Sequence, residues 1–124
     1  MLTKDEMVAL ATQPCDTMTV IVRMQNSPIR SVLVRRVTGK EGDIIGGKIK
    51  EWVADDSSKG RLASYFLAND DGSRMFGDDD AEVLNSLPNA FIEPIVQKAM
   101  AFNALGGEGI SEALEKNSET TQGD

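Results

Sequence analysis

Two apolar stretches separated by a strong turn signal constrain the fold of this chain more than any other feature. The first stretch, RLASYFLA at residues 61–68, stops at the polar turn NDDG of residues 69–72, and the second covers residues 91–105. Asp-Gly favours a turn because glycine accepts a positive φ and aspartate hydrogen-bonds its own backbone. Apolar residues recur with helical spacing in both stretches. The pattern therefore predicts a helix, a turn and a second helix.

The first third of the chain favours extended structure. Residues 17–24 (TMTVIVRM) and 31–37 (SVLVRRV) are rich in β-branched residues and are separated by an Asn-Ser-Pro turn signal. Alternation places Met18, Val20 and Val22 on one face of the first strand. Because a two-stranded hairpin is not stable alone, we expect it to pack against the helices of the second half.

Two capping boxes predict where helices begin. Thr3 is followed three residues later by Glu6, and Thr38 is followed in the same way by Glu41. The first box opens a short helix, which must dock on another surface to persist because isolated short helices are marginal in water. The second opens a longer helix that three glycines should weaken. These glycines are Gly42, Gly46 and Gly47.

These patterns together predict an α+β fold, mainly helical, with an N-terminal two-stranded hairpin. Residues 1–116 are predicted to form a single domain, with a short helix over 1–13, the hairpin over 17–37 and a helical body over 39–105. Gly106-Gly107 is predicted to end the last long helix. Residues 117–124 (NSETTQGD) have no apolar side chain to bury, so we expect a disordered tail.

Composition narrows the class of protein. The 124 residues carry a net charge of −7, contain no histidine and include a single cysteine, Cys15. One cysteine cannot pair within the chain, which favours a reducing compartment. The opening MLTKDE is acidic where a secretory signal would be basic, and no apolar run is long enough to span a membrane. The negative charge argues against general affinity for nucleic acid or anionic membranes.

The residues for catalysis or metal binding are not arranged in a familiar pattern. Without histidine the commonest general base is missing, and Cys15 has no neighbouring cation in the sequence to activate it. When Gly72 or Gly77 is taken as the sixth residue of an EF-hand calcium loop, the first or twelfth position does not hold the ligand that the motif requires. We therefore expect no enzyme, no cofactor and no metal, and we interpret the acidic cluster at 78–80 as turn and cap residues.

The hairpin is basic although the chain is acidic. No acid occurs between Thr17 and Lys40, whereas residues 61–124 carry most of the negative charge. We predict that Arg23, Arg35 and Arg36 pair with the acidic second half of the chain or with an acidic partner. A nucleic-acid-binding hairpin is the alternative, but the region lacks stacking aromatic residues.

The last long helix carries an apolar stripe with two interpretations. The stripe is either core or a surface that binds other proteins, and the apolar residues beside it favour a second contact surface. The predicted partner-binding residues are Phe91, Ile92, Ile95, Val96, Ala99, Phe102 and Leu105.

The order of these features resembles the tail assembly chaperones of long-tailed bacteriophages and prophages. The resemblance covers most of residues 1–116, from MLTKDE through VLVRRVTGKEGD, and is clearest in RLASYFLANDDGSRMFGDDDAEVLNSLPNAFIEPIVQKAMAFNAL. It implies a non-enzymatic protein that binds the helical, aggregation-prone tape measure protein and helps to recruit the tail tube protein. It also implies self-association, location in the host bacterial cytoplasm and absence from the mature virion. A small acidic head or tail joining adaptor is the alternative within phage assembly.

Overall fold

The chain folds into a small α+β domain that is mainly helical. The computed structural model describes residues 1–23 and 28–105. The helices in these ranges are α1 (Lys4–Thr12), α2 (Gly39–Ala54), α3 (Ser58–Phe66), α4 (Ala81–Asn85) and α5 (Asn89–Phe102), with a short 3-10 turn at Asp78–Asp80. The strands are β1 (Thr17–Val22), β2 (Arg30–Arg35) and β3 (Leu67–Ala68).

The sheet has three antiparallel strands in the order β1-β2-β3, so the two-stranded prediction is incomplete. Thr19 lies opposite Leu33 in the first pair, and Leu33 lies opposite Ala68 in the second. The apolar run at 61–68 was predicted to be wholly helical, but α3 ends at Phe66 and Leu67 is extended. Leu67 and Ala68 are both buried, which the extended backbone achieves by pairing with β2.

The core lies between the sheet and the helices of the second half. Val20, Val22 and Val34 are buried on the sheet face that packs against α5, as alternation predicts for β1. Helix α3 is buried along most of its length between α2, α4 and α5. The largest fully buried apolar side chains are Phe66, Ile45, Ile49, Leu62, Leu84, Ile95, Val20 and Val34.

Both predicted capping boxes are confirmed. The Thr3 hydroxyl accepts from the Glu6 N–H at 3.2 Å, and the Thr38 hydroxyl accepts from the Glu41 N–H at the same distance. Helix α2 continues through Gly42, Gly46 and Gly47 and buries Ile45, Ile49 and Trp52. The burial of this apolar side outweighs the low helix propensity of glycine.

Helix α5 ends earlier than the sequence predicts. Its last helical residue is Phe102, and Ala104 adopts a left-handed conformation with φ 53°. The Ala104 N–H donates to the Ala101 carbonyl, and the Leu105 N–H donates to the Met100 carbonyl. These two backbone hydrogen bonds satisfy the last carbonyls of the helix, so the end of α5 does not require Gly106-Gly107. The predictions for residues 106–124, including the tail at 117–124, lie outside the described residues.

The acidic turn region follows the predicted turn-and-cap chemistry with one change. Gly72 has φ 85°, and the Asp71 carboxylate accepts from the Ser73 N–H at 3.0 Å. The change is that Asp78–Asp80 itself forms a 3-10 turn, whose capping bond runs from the Gly77 N–H to the Asp80 carboxylate at 2.8 Å.

Candidate protein-interaction surface

The apolar stripe of α5 is mostly core. Ile92, Ile95, Val96 and Ala99 are at most 3% exposed, because they face the sheet and α3. These four residues are therefore not available to a partner in the folded chain, which corrects their assignment as a binding surface. A helical period identifies an apolar side but does not tell whether that side is covered by the same chain.

The other three predicted partner-binding residues are half-buried at the edge of the core. Phe91, Phe102 and Leu105 pack against the buried cluster while keeping some exposed surface. The Phe102 ring lies 4.4 Å from the guanidinium carbon of Arg36. The structure thus brings together one residue of the predicted apolar site and one of the predicted charged site.

Arg35 is the clearest departure from the predicted charged surface. Its side chain is buried, and its guanidinium donates to both Glu41 carboxylate oxygens at 3.0 and 3.1 Å and to the Tyr65 carbonyl at 2.9 Å. Its Nη2 also lies 3.5 Å from the Cys15 sulfur, so a cation does approach this thiol through the fold. Arg35 is therefore part of the internal structure and not of an exposed contact surface.

The ionisation of the Arg35–Glu41 pair reflects two opposing effects. Burial disfavours the charged form of Glu41, but hydrogen bonds from Arg35 and Thr38 outweigh it and hold the pKa of the carboxyl below its ordinary value. Burial likewise opposes the charge on Arg35, yet Glu41 keeps the pKa of the guanidinium above its ordinary value. Both groups are thus charged at neutral pH. A capping-box glutamate that also pairs with a buried arginine fixes the start of α2 onto β2.

Arg23 and Arg36 remain exposed. Arg36 approaches Asp16 at 3.7 Å, but both side chains are more than half exposed, so the pair contributes little to stability. The partner of Arg36 belongs to the N-terminal half, and so does Glu41, the partner of Arg35. Within residues 1–23 and 28–105, these two arginines therefore pair with acids of the N-terminal half and not with the predicted acidic second half.

Helix α1 is the most exposed apolar element of the described chain. Met7, Val8 and Leu10 are 55%, 56% and 54% exposed, and α1 contains no buried residue. Leu2, just before the helix, is also 54% exposed. The sequence predicts that so short a helix must dock to persist, but the chain offers it no such contact within the described residues. Its apolar side chains are therefore open to another molecule.

The outer side of the sheet is also open near the hairpin. Thr17, Thr19 and Ile21 project from β1 on the side away from α5 and are exposed. An open groove of about 710 Å³ runs beside β2 and β3, with Leu33, Met75 and the acidic pair Asp70–Asp71 in its walls. This side mixes apolar and polar groups, which is typical of surfaces that contact other proteins.

A second hollow lies between α2, α3 and the acidic turn. Its volume is about 380 Å³, and its walls include Trp52 and Tyr65, whose rings stack with centroids 6.2 Å apart. Burial raises the pKa of the Tyr65 hydroxyl, and the carboxylate of Asp78 acts in the same direction. Arg74 lies over the Tyr65 ring at 4.2 Å and pairs with Asp78 at 3.1 Å. These contacts fix the acidic turn against α3.

Two searches of the described residues bear on other kinds of site. Within residues 1–23 and 28–105, no three Cys, Asp or Glu side chains are placed to hold a metal ion together. Over the same ranges, no helix has both the length and the apolar character needed to cross a membrane.

Comparison with known proteins identifies no relative: no family model, no curated protein and no solved structure matches this chain.

The contacts of Asn103 and the edge position of β1 are structural features that the sequence patterns do not reveal. The Asn103 side chain accepts from the Val37 N–H at 2.7 Å and donates to the Arg35 carbonyl at 3.0 Å, which ties the end of α5 to the end of β2. No local motif marks such a long-range contact. The edge position of β1 follows from the strand order, which periodicity does not contain.

Proposed function

We propose that this chain is a non-enzymatic tail assembly chaperone of a long-tailed bacteriophage or prophage. In this proposal it binds the tape measure protein through α1 and aids assembly of the tail tube. The observation that carries the proposal is the exposure of Met7, Val8 and Leu10 on a helix that buries none of its own residues. The resemblance in the order of sequence features supports the choice of client.

The client surface differs from the one that the sequence favoured. Ile92 and Ile95 of α5 are buried and hold the sheet on the helices, so they stabilise the chaperone itself. Helix α1 offers apolar side chains without unfolding any part of the core, and an amphipathic client helix would complete the burial that α1 lacks. The formal charge of −7 would keep the loaded complex soluble.

The proposal also covers location and release. The chaperone acts in the host bacterial cytoplasm, where the tape measure protein is made, and is absent from the mature virion. A contact limited to one short helix buries a modest apolar area, so the tail tube protein can displace the chaperone as the tube assembles. Displacement requires that affinity per copy be modest.

Co-expression with the tape measure protein tests the proposal. The wild-type chain should co-purify with the client and raise its soluble fraction. The double variant Met7→Lys with Leu10→Lys should lose both effects, because it places two charges on the face that packs against the client. Val83→Lys is the matched control, since Val83 is an equally exposed apolar residue, 64% exposed, on α4.

Three outcomes would contradict the proposal. These are an insoluble client beside the wild-type chain, a client retained by the α1 variant, and a client lost to the same extent by the control. Detection of the chain in purified particles by mass spectrometry would favour the joining-adaptor alternative. Retarded mobility of DNA or RNA that Arg23→Ala with Arg36→Ala abolishes would favour the nucleic-acid alternative.

A further inference from the structure

We propose that β1 pairs antiparallel with β1 of a second copy across a two-fold axis, joining the two three-stranded sheets into one. This inference concerns the self-contact of the chain and holds whatever client α1 binds. The strand order β1-β2-β3 leaves β1 at the edge, with β2 as its only strand partner within the described residues. At the opposite edge, β3 is only two residues long.

The register of the hairpin shows which backbone groups of β1 face outward. The Arg36 N–H donates to the Asp16 carbonyl at 2.8 Å, which identifies this position as a hydrogen-bonded pair of the ladder. Because such pairs alternate in an antiparallel ladder, the N–H and C=O groups of Thr17, Thr19 and Ile21 point away from β2. Among the described residues, no backbone hydrogen bond from outside the sheet reaches these three positions.

In the part of the chain that the structure describes, the edge carries none of the usual protection against pairing. The sequence of β1, TMTVIV, has no charged residue and no proline, and five of its six residues are β-branched, the exception being Met18. Natural edge strands are usually short, charged, bulged or covered. A six-residue uncharged edge is instead suited to accept another strand.

The charges at the two ends of β1 select a second copy in antiparallel orientation. Asp16 lies just before the strand and Arg23 just after it, and both are exposed. Antiparallel pairing brings the end of β1 that carries Asp16 to the end of the other copy that carries Arg23, so opposite charges approach each other twice. Parallel pairing would place like charges side by side. The existing contact of Asp16 with Arg36 is long and exposed, so it does not prevent this exchange.

One register satisfies every outward-facing group. Placing Thr19 opposite Thr19 of the second copy puts Thr17 opposite Ile21, so all three outward residues of each strand meet outward residues of the other. This register also keeps Val20 on the buried face in both copies, whereas a slip of one residue would exchange the two faces. The two-fold axis therefore passes between the two Thr19 residues.

Cysteine cross-linking tests both the pairing and its register. In a Cys15→Ser background, Thr19→Cys should form a covalent dimer under mild oxidation, because residues paired across an antiparallel ladder have Cα atoms about 5.5 Å apart. Thr17→Cys is the matched control, since it is also an exposed threonine of β1. Its two copies would lie roughly 13 Å or more apart along the strands, beyond disulfide reach.

Exchanging the charges at positions 16 and 23 supplies a second test. The dimer is measured by analytical sedimentation of the folded chain over a range of concentrations. The wild-type chain should dimerise, Asp16→Arg alone should weaken the dimer by roughly tenfold or more, and Asp16→Arg with Arg23→Asp should restore it. A wild-type chain that stays monomeric at about 1 mM would overturn the proposal, since specific interfaces of even modest size bind more tightly. Equal cross-linking at positions 17 and 19, or no recovery in the double variant, would overturn it as well.

Discussion

Gly60 and Gly46 are both helical glycines, yet we expect replacement by alanine to change stability in opposite directions. A Cβ at Gly60 would lie 2.3 Å from the Ala81 carbonyl oxygen and 2.5 Å from Cγ of Asn85, because α3 and α4 approach closely there. The Gly60 N–H also donates to the Asn85 side chain at 2.7 Å. At Gly46, on the exposed side of α2, an added Cβ would meet nothing within 4 Å.

The magnitudes follow from these contacts. Moving α4 away from a Cβ at Gly60 should cost about 1–3 kcal/mol for overpacking and about 1 kcal/mol for the lost hydrogen bond, against a gain of about 1 kcal/mol in helix propensity. Gly60→Ala should therefore lower the free energy of unfolding by roughly 1–3 kcal/mol. Gly46→Ala should raise it by about 0.5–1 kcal/mol, because only the propensity term applies.

Urea unfolding followed by circular dichroism measures both effects. The two variants should keep the wild-type denaturant slope while their midpoints shift in opposite directions. If Gly60→Ala is as stable as Gly46→Ala, the inference that α3 and α4 leave no room for a side chain at Gly60 is refuted.

Three further predictions concern buried contacts and helix ends. Because the pKa of Glu41 is held below its ordinary value of 4.5, the stability from its charged form is present above that pH and lost as pH falls through the folded-state pKa. Glu41→Gln should therefore flatten the loss of stability below about pH 4.5 in urea titrations and lower stability at neutral pH. Asn103→Ala should lower the free energy of unfolding by about 2–3 kcal/mol, since it removes hydrogen bonds to two half-buried backbone groups. Ala104→Gly should raise the melting temperature, because glycine adopts the left-handed conformation of Ala104 with about 1 kcal/mol less strain.

Local patterns predicted the features that depend on neighbours in sequence. The capping boxes at Thr3 and Thr38, the inward face of β1 and the positive φ of Gly72 all agree with the structure. Each depends on contacts within a few residues, where composition and spacing fix the geometry. The third strand was missed because Leu67 and Ala68 continue an apolar helical pattern, and only pairing with β2 makes them extended.

Sequence patterns could not decide what covers an apolar or charged side. The spacing of Ile92, Ile95 and Ala99 is the same whether α5 faces its own sheet or a partner. Arg35 is the last residue of β2 and Arg36 follows it, yet Arg35 is buried beside Glu41 whereas Arg36 stays exposed. In both cases the burial of the side chain depends on where elements distant in sequence lie in the fold.

The two proposed contacts use neighbouring but separate parts of the chain, so they should be separable by mutation. Helix α1 would bind the client through side chains such as Met7 and Leu10, whereas β1 would bind a second copy through the outward backbone groups around Thr19. Strand pairing depends mainly on main-chain hydrogen bonds, and helix docking depends on apolar side chains. Lysines on α1 should therefore abolish client binding without changing dimerisation, whereas charge reversal at Asp16 should weaken dimerisation without altering α1. If dimerisation doubles the number of client helices held by one complex, the Asp16 variant should bind the client more weakly although its α1 is intact.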